Sequence, residues 1–186
     1  YKAGIATELF PVLIFIGVGA MIDFKPLIAS PFMLFFGAAA QFGIFATMLF
    51  AISTGKFSLP EAASIGIIGA ADGPTSIYVA KVFAPNYLGP ISVAAYSYMS
   101  LVPIIQPPVI KLLTTSKERK IRMKYTTVHV PKKVEILFPI AITLIAGIIA
   151  PMSVSLIGAL MFGNLIRVCG VLERLSISAQ NELSNL

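Results

Sequence analysis

Residues 61–83 read EAASIGIIGAADGPTSIYVAKVF. The stretch is apolar on both sides of Ala71-Asp72-Gly73-Pro74-Thr75, and the interruption decides what kind of molecule this is. Proline lacks a backbone donor and clashes with the preceding turn, and the residue before it avoids helical geometry. That residue is Gly73, which permits almost any backbone angle. A helix is therefore expected to break here. Asp72 or Gly73 would cap a second half-helix that has Pro74 at its first position.

The flanking sequence says which solvent the break sits in. Of the 186 residues, 57% are hydrophobic and only 12% charged, with a mean hydropathy of +0.90. A soluble domain carries roughly 25% charged residues, so an ordinary soluble enzyme is excluded, and a disordered chain is excluded by the same numbers. Three windows, residues 26–55, 82–110 and 136–166, hold no formal charge. Each exceeds the ~20 residues a helix needs to cross a ~30 Å hydrocarbon core. Helices are expected at about 32–53, 88–110 and 136–150, and one over Leu9 to Ile22 that starts at or before Glu8. The second contains Pro103, Pro107 and Pro108, which predict a kinked or broken C-terminal part. Val154 to Ile166 is short, and at 1.5 Å per residue covers roughly 20 Å, the length of a half-helix or a tilted segment.

The expected class is all-α, a polytopic bundle of membrane helices with discontinuous members. Residues 1–186 are read as one membrane domain from the interior of a longer chain, because neither Tyr1 nor the polar run ending at Leu186 resembles a natural terminus. Eight of the fourteen Lys and Arg residues lie in 111–133, opposed only by Glu118. By the positive-inside rule this is a cytoplasmic loop. The net charge of +6 is thus topology, and calls for no nucleic-acid partner. His129 reads as a solvated loop histidine, and the lone Cys169 makes no disulfide or metal motif.

Asp72 is the residue that carries chemistry. A carboxylate near mid-membrane costs about 3 kcal/mol on insertion scales and usually marks an ion pathway. Two readings stand: a helix cap buried in protein, or a cation site. In the second, carbonyls freed at the end of the first half-helix supply neutral oxygens, Asp72 the negative charge, and Thr75 or Ser76 hydroxyls. Gln41 and Gln106 are expected to hydrogen-bond between helices, and the small residues Gly37, Ala38, Ala39, Ala40 and Gly43 to pack a helix closely. The depth of Tyr96 and Tyr98 argues for a buried partner for each phenol. Arg167, at a helix end, reads as a snorkelling side chain.

IGIIGAADGPTSIYVAK, VAAYSYMSLVPIIQPPVIK, ERKIRM and FGNLIRVCGVLERLS resemble the β subunit of the sodium-transporting biotin-dependent decarboxylases. These are the oxaloacetate, methylmalonyl-CoA and glutaconyl-CoA decarboxylase pumps. The resemblance runs from VLIFIGVGAMIDF to AQNEL. It implies a multi-pass subunit of the inner (cytoplasmic) membrane that decarboxylates carboxybiotin, consumes a proton and moves Na⁺ outward. Implied partners are a biotin-carrier and carboxyltransferase subunit and a small membrane subunit, with a homo-oligomer possible within the complex. Asp72 matches the Na⁺ aspartate of the family's GADGPT motif, with Ala70 where that motif has its first Gly, and Tyr98 matches the functional tyrosine of YSYM. Composition and the break alone lead only to a cation-handling membrane protein. A Na⁺-coupled secondary transporter without covalent chemistry is the alternative they leave open.

Overall fold

A computed structural model describes residues 9–122 and 130–183. Among them there are nine α-helices and no strand: α1 (Leu9–Met21), α2 (Lys25–Ala29), α3 (Leu34–Ser53), α4 (Leu59–Gly66), α5 (Gly73–Phe83), α6 (Leu88–Leu113), α7 (Lys132–Ile149), α8 (Val154–Cys169) and α9 (Glu173–Asn181). Glu8, Lys124 and His129 lie outside the described residues. Three helical stretches, Pro31–Ser53, Pro85–Leu113 and Pro151–Cys169, are long and apolar enough to cross a membrane. The chain is a membrane protein.

The helices group into two compact units, one of Tyr1–Phe35 with Val128–Leu186 and the other of Phe36–Thr127. In the first, α1 packs along α8 with backbone against backbone. A methyl group on Gly19 would stand 1.9 Å from the carbonyl oxygen of Leu160, and one on Gly163 would stand 2.0 Å from that of Ile16. Only glycine allows that approach, as small-residue packing in membranes requires. Beside it the buried Asn164 donates to the carbonyls of Ile22 at 2.8 Å and Gly19 at 3.3 Å. Arg167 is exposed near the end of α8. Its guanidinium donates to the carbonyl of Met21 at 3.0 Å, supplying a cation to the C-terminal end of α1, where the last carbonyls lack donors. Glu135, also buried, faces Lys25 Nζ at 3.4 Å and Lys132 Nζ at 3.8 Å.

Several expectations are corrected here. The segment read as a half-helix or a tilted, packed segment does pack along α1, as part of a 19-residue apolar stretch. It starts in a 3-10 turn at Pro151–Ser153 and runs through Asn164 and Arg167 to Cys169, because both polar side chains are satisfied by α1. The proline-rich end of α6 is not broken: the helix continues through Pro103, Pro107 and Pro108. Proline's fixed φ suits a helix, so the loss is limited to hydrogen bonds to carbonyls one turn back. The small-residue face of α3 is not packed among the described residues. A methyl on Gly37 or Gly43 would meet nothing within 4 Å, and Gln41 and Gln106 are exposed, with no hydrogen bond to any described residue.

Candidate functional site

The site belongs to the second unit. Ser58 begins α4, and its N–H and hydroxyl both donate to Glu61, each at 2.8 Å. After Gly66 the helix tightens into a 3-10 turn, Ile67–Ala70, and then stops. Ala71 stops it: its φ of 54° and ψ of 37° lie in the left-handed region, and it is the one non-glycine residue with positive φ among those described. For an L-residue with a Cβ that geometry costs roughly 1–2 kcal/mol. The later carbonyls of the turn have no following helical N–H groups to accept from.

Asp72 restarts the helix in extended geometry as the N-cap of α5. Its Oδ1 accepts the Thr75 N–H at 3.2 Å and its Oδ2 accepts the Thr75 hydroxyl at 2.9 Å. The Ser76 hydroxyl, fully buried, donates to the Asp72 main-chain carbonyl at 2.8 Å. Asp72 is thus the cap, Gly73 takes the first helical position, and Pro74 follows it in second place. A carboxylate here also answers the positive end of the α5 dipole.

Cap and cation ligand are compatible. A carboxylate offers about four acceptor directions, and Thr75 uses two of them. Asp72 is only half-buried, so the remaining directions are open to an ion. The oxygens bonded to Asp72 are the Thr75 hydroxyl on its carboxylate and the Ser76 hydroxyl on its main-chain carbonyl, so the donor set at the break is all oxygen. That is the chemistry of a hard cation. No three His, Cys, Asp or Glu side chains come together among the described residues.

The structure therefore brings Asp72, Thr75 and Ser76 together and does the same for one tyrosine. That tyrosine is Tyr96, whose ring edge lies on Gly73. Tyr98 leaves α6 two residues later, roughly 200° round the helix. The expected buried partners are not found: Tyr96 is 48% and Tyr98 38% exposed, with no hydrogen bond to a described residue. Sequence reasoning missed the Tyr96 contact. Its signal was glycine directly after the aspartate, a position where only a missing side chain admits a ring. A cavity of about 310 Å³ bounded by Arg167, Glu173, Ser176 and Gln180 lies in the first unit and contains none of these residues.

Comparison with known proteins gives a consistent family. Residues 1–186 match the family described as the Na⁺-transporting oxaloacetate decarboxylase beta subunit. The chain is 56% identical over 178 residues to the methylmalonyl-CoA decarboxylase subunit beta of Propionigenium modestum, covering 96% of this chain and 45% of that one. It is 54% identical over 191 residues to the oxaloacetate decarboxylase beta chain of Klebsiella pneumoniae, at 100% and 44% coverage. The methylmalonyl-CoA decarboxylase subunit beta of Veillonella parvula is 57% identical over 184 residues, at 99% and 49%. The chain spans less than half the length of these relatives.

Proposed function

The chain belongs to the Na⁺-transporting oxaloacetate decarboxylase beta subunit family, and on that premise we propose that it forms part of the membrane subunit of a decarboxylase sodium pump. The observation that carries the reading is the half-buried Asp72 carboxylate at a helix break, among oxygen donors, with acceptor directions left over. Na⁺ is the cargo. Asp72 supplies its counter-charge, Thr75 and Ser76 supply hydroxyl oxygens, and the ion leaves outward across the inner membrane.

Carboxybiotin, carried on a partner subunit, supplies the carboxylate that departs as CO₂ while the vacated biotin nitrogen takes up one proton. Tyr98, matched to the functional tyrosine of the family, provides that proton from its hydroxyl. A cation arriving beside a phenol favours loss of its proton, so Na⁺ entry and proton delivery are coupled by charge. The phenolate left behind is reprotonated from water, so each turnover consumes one proton. The carboxyltransferase partner selects the acid that donates the carboxyl group, and a small membrane subunit completes the complex. The basic loop 111–133 faces the cytoplasm, on the side where the biotin carrier works.

Asp72→Asn tests this reading cleanly, because Asn caps a helix as well as Asp does. The variant keeps one amide oxygen for the Thr75 N–H cap and removes the charge and the second acceptor oxygen. The assembled complex, reconstituted in proteoliposomes, should lose Na⁺-activated CO₂ release from carboxybiotin together with Na⁺ transport. An Asn variant with unchanged Na⁺ activation would reduce Asp72 to a cap and end the proposal. Tyr98→Phe should lower turnover in the same assay, and full Na⁺-dependent decarboxylation by it would remove Tyr98 from the proton path.

A further inference from the structure

The half-helix that begins at Asp72 has its first turn closed by Asp72 itself, which accepts the N–H groups and the hydroxyls of Thr75 and Ser76. Pro74 has no N–H to offer, and Gly73 has no side chain to lock it. What fixes the first turn of α5 from outside is α6, which packs against both the preceding 3-10 turn and α5 itself. At Gly73 the contact is the ring of Tyr96. A methyl group on Gly73 would stand 2.9 Å from Tyr96 Cζ, 3.0 Å from Cε1 and 3.2 Å from Oη. Those separations are shorter than ordinary van der Waals contact, so the ring occupies the space that a side chain at Gly73 would need. On the same helix Ala95 and Ile91 are buried, which seats the backbone of α6 and aims the ring. Ala71, held left-handed on the other side of Asp72, stores strain that any loosening of the turn would release.

We propose that Tyr96 is a positioning residue of the Asp72 site: its ring is the wall that holds the N-terminus of α5, and with it the Asp72 carboxylate, against the end of the preceding turn. The inference rests on the reading of Asp72 as the Na⁺ ligand and names a residue that reading did not contain. Tyr96 acts through packing, since its hydroxyl bonds to no described residue. Its effect is on ion affinity, because a binding constellation works only when held within about 0.5 Å of its productive geometry.

The test uses the full-length subunit in the assembled complex, with Na⁺ activation curves of CO₂ release from carboxybiotin. Tyr96→Ala should raise the half-saturating Na⁺ about tenfold, equivalent to ~1.4 kcal/mol of binding, and leave turnover at saturating Na⁺ within about twofold. Tyr96→Phe, which keeps the ring, should restore the original half-saturation. Gly73→Ala reaches the same contact from the other side and should raise half-saturating Na⁺ alone, but have little further effect in a Tyr96→Ala background, since contacting residues are non-additive. This pair also serves if Tyr96→Ala fails to assemble. Unchanged half-saturation in Tyr96→Ala, additive effects of the two substitutions, or a Phe variant as impaired as Ala would each overturn the proposal. Asp72→Asn in the same assay separates the two levels. If it leaves Na⁺ activation intact, the underlying site reading fails. If it abolishes activation while Tyr96→Ala shifts nothing, only this inference fails.

Discussion

Gly163→Ala adds one methyl group at the crossing of α8 with α1. That methyl would meet the carbonyl oxygen of Ile16 at 2.0 Å, its carbon at 2.9 Å and the nitrogen of Ala20 at 3.0 Å. All three are main-chain atoms, so no side chain can swing aside. Reaching ordinary contact near 3.4 Å requires the helices to part by about 1.4 Å along that line. The neighbouring Asn164 bonds, 2.8 Å to Ile22 and 3.3 Å to Gly19, would not survive such a shift. Overpacking costs about 1–3 kcal/mol, and interhelical hydrogen bonds in membranes average about 0.6 kcal/mol each. The expected loss is about 2–4 kcal/mol, at ~1.4 kcal/mol per tenfold change in the folded-to-unfolded ratio. Unfolding of the purified full-length subunit by SDS in bicelles measures it. Gly158→Ala, on the same helix, is the matched control. There the methyl falls 3.7 Å from Thr143 Cγ2 and 3.8 Å from Val154 Cγ1, so it fits, and the better helix propensity of alanine gives a gain of up to about 1 kcal/mol. Equal destabilisation by the two variants, or none by either, would refute the argument from backbone contact.

Ala71→Gly should stabilise the same subunit by up to about 1 kcal/mol in that assay, since glycine takes the left-handed geometry without a Cβ penalty. Ala71→Val should be worse than the original residue. Glu118 is held below the ordinary carboxylate range by the Thr115 N–H it accepts and then by the Thr115 hydroxyl. With its pKa depressed in the folded state, the turn it closes is intact above the unfolded-state pKa and opens as pH falls through the folded one. Amide exchange at Thr115 should accelerate relative to its neighbours on acidification, and lose that pH dependence in Glu118→Gln. A cysteine placed at Ser116 should react with an impermeant thiol reagent from the cytoplasmic side only, and labelling from outside intact cells would reverse the topology.

The membrane class and the break at Ala71–Pro74 were legible in the sequence for local reasons. Charge-free windows of known length and a Gly-Pro pair inside an apolar run act on the chain whatever surrounds it. The same local chemistry narrowed the cap to Asp72 or Gly73, and the structure takes Asp72, with Pro74 one position from its expected place. What the tertiary structure decided depends on which backbone comes near which. Arg167 reads in the sequence as a helix end, and only the fold shows that α1 supplies carbonyls to it and to Asn164. The glycines of α1 and α8 do pack closely, whereas Gly37 and Gly43 of the similar stripe on α3 meet nothing among the described residues, a difference no composition records. The choice of Tyr96 over Tyr98 at the break is of the same kind. Two tyrosines two residues apart are equivalent by type and depth, and point to opposite sides of one helix. Only the position of α6 against α5, with a side-chain-free Gly73 leaving room for a ring, settles which phenol stands beside Asp72.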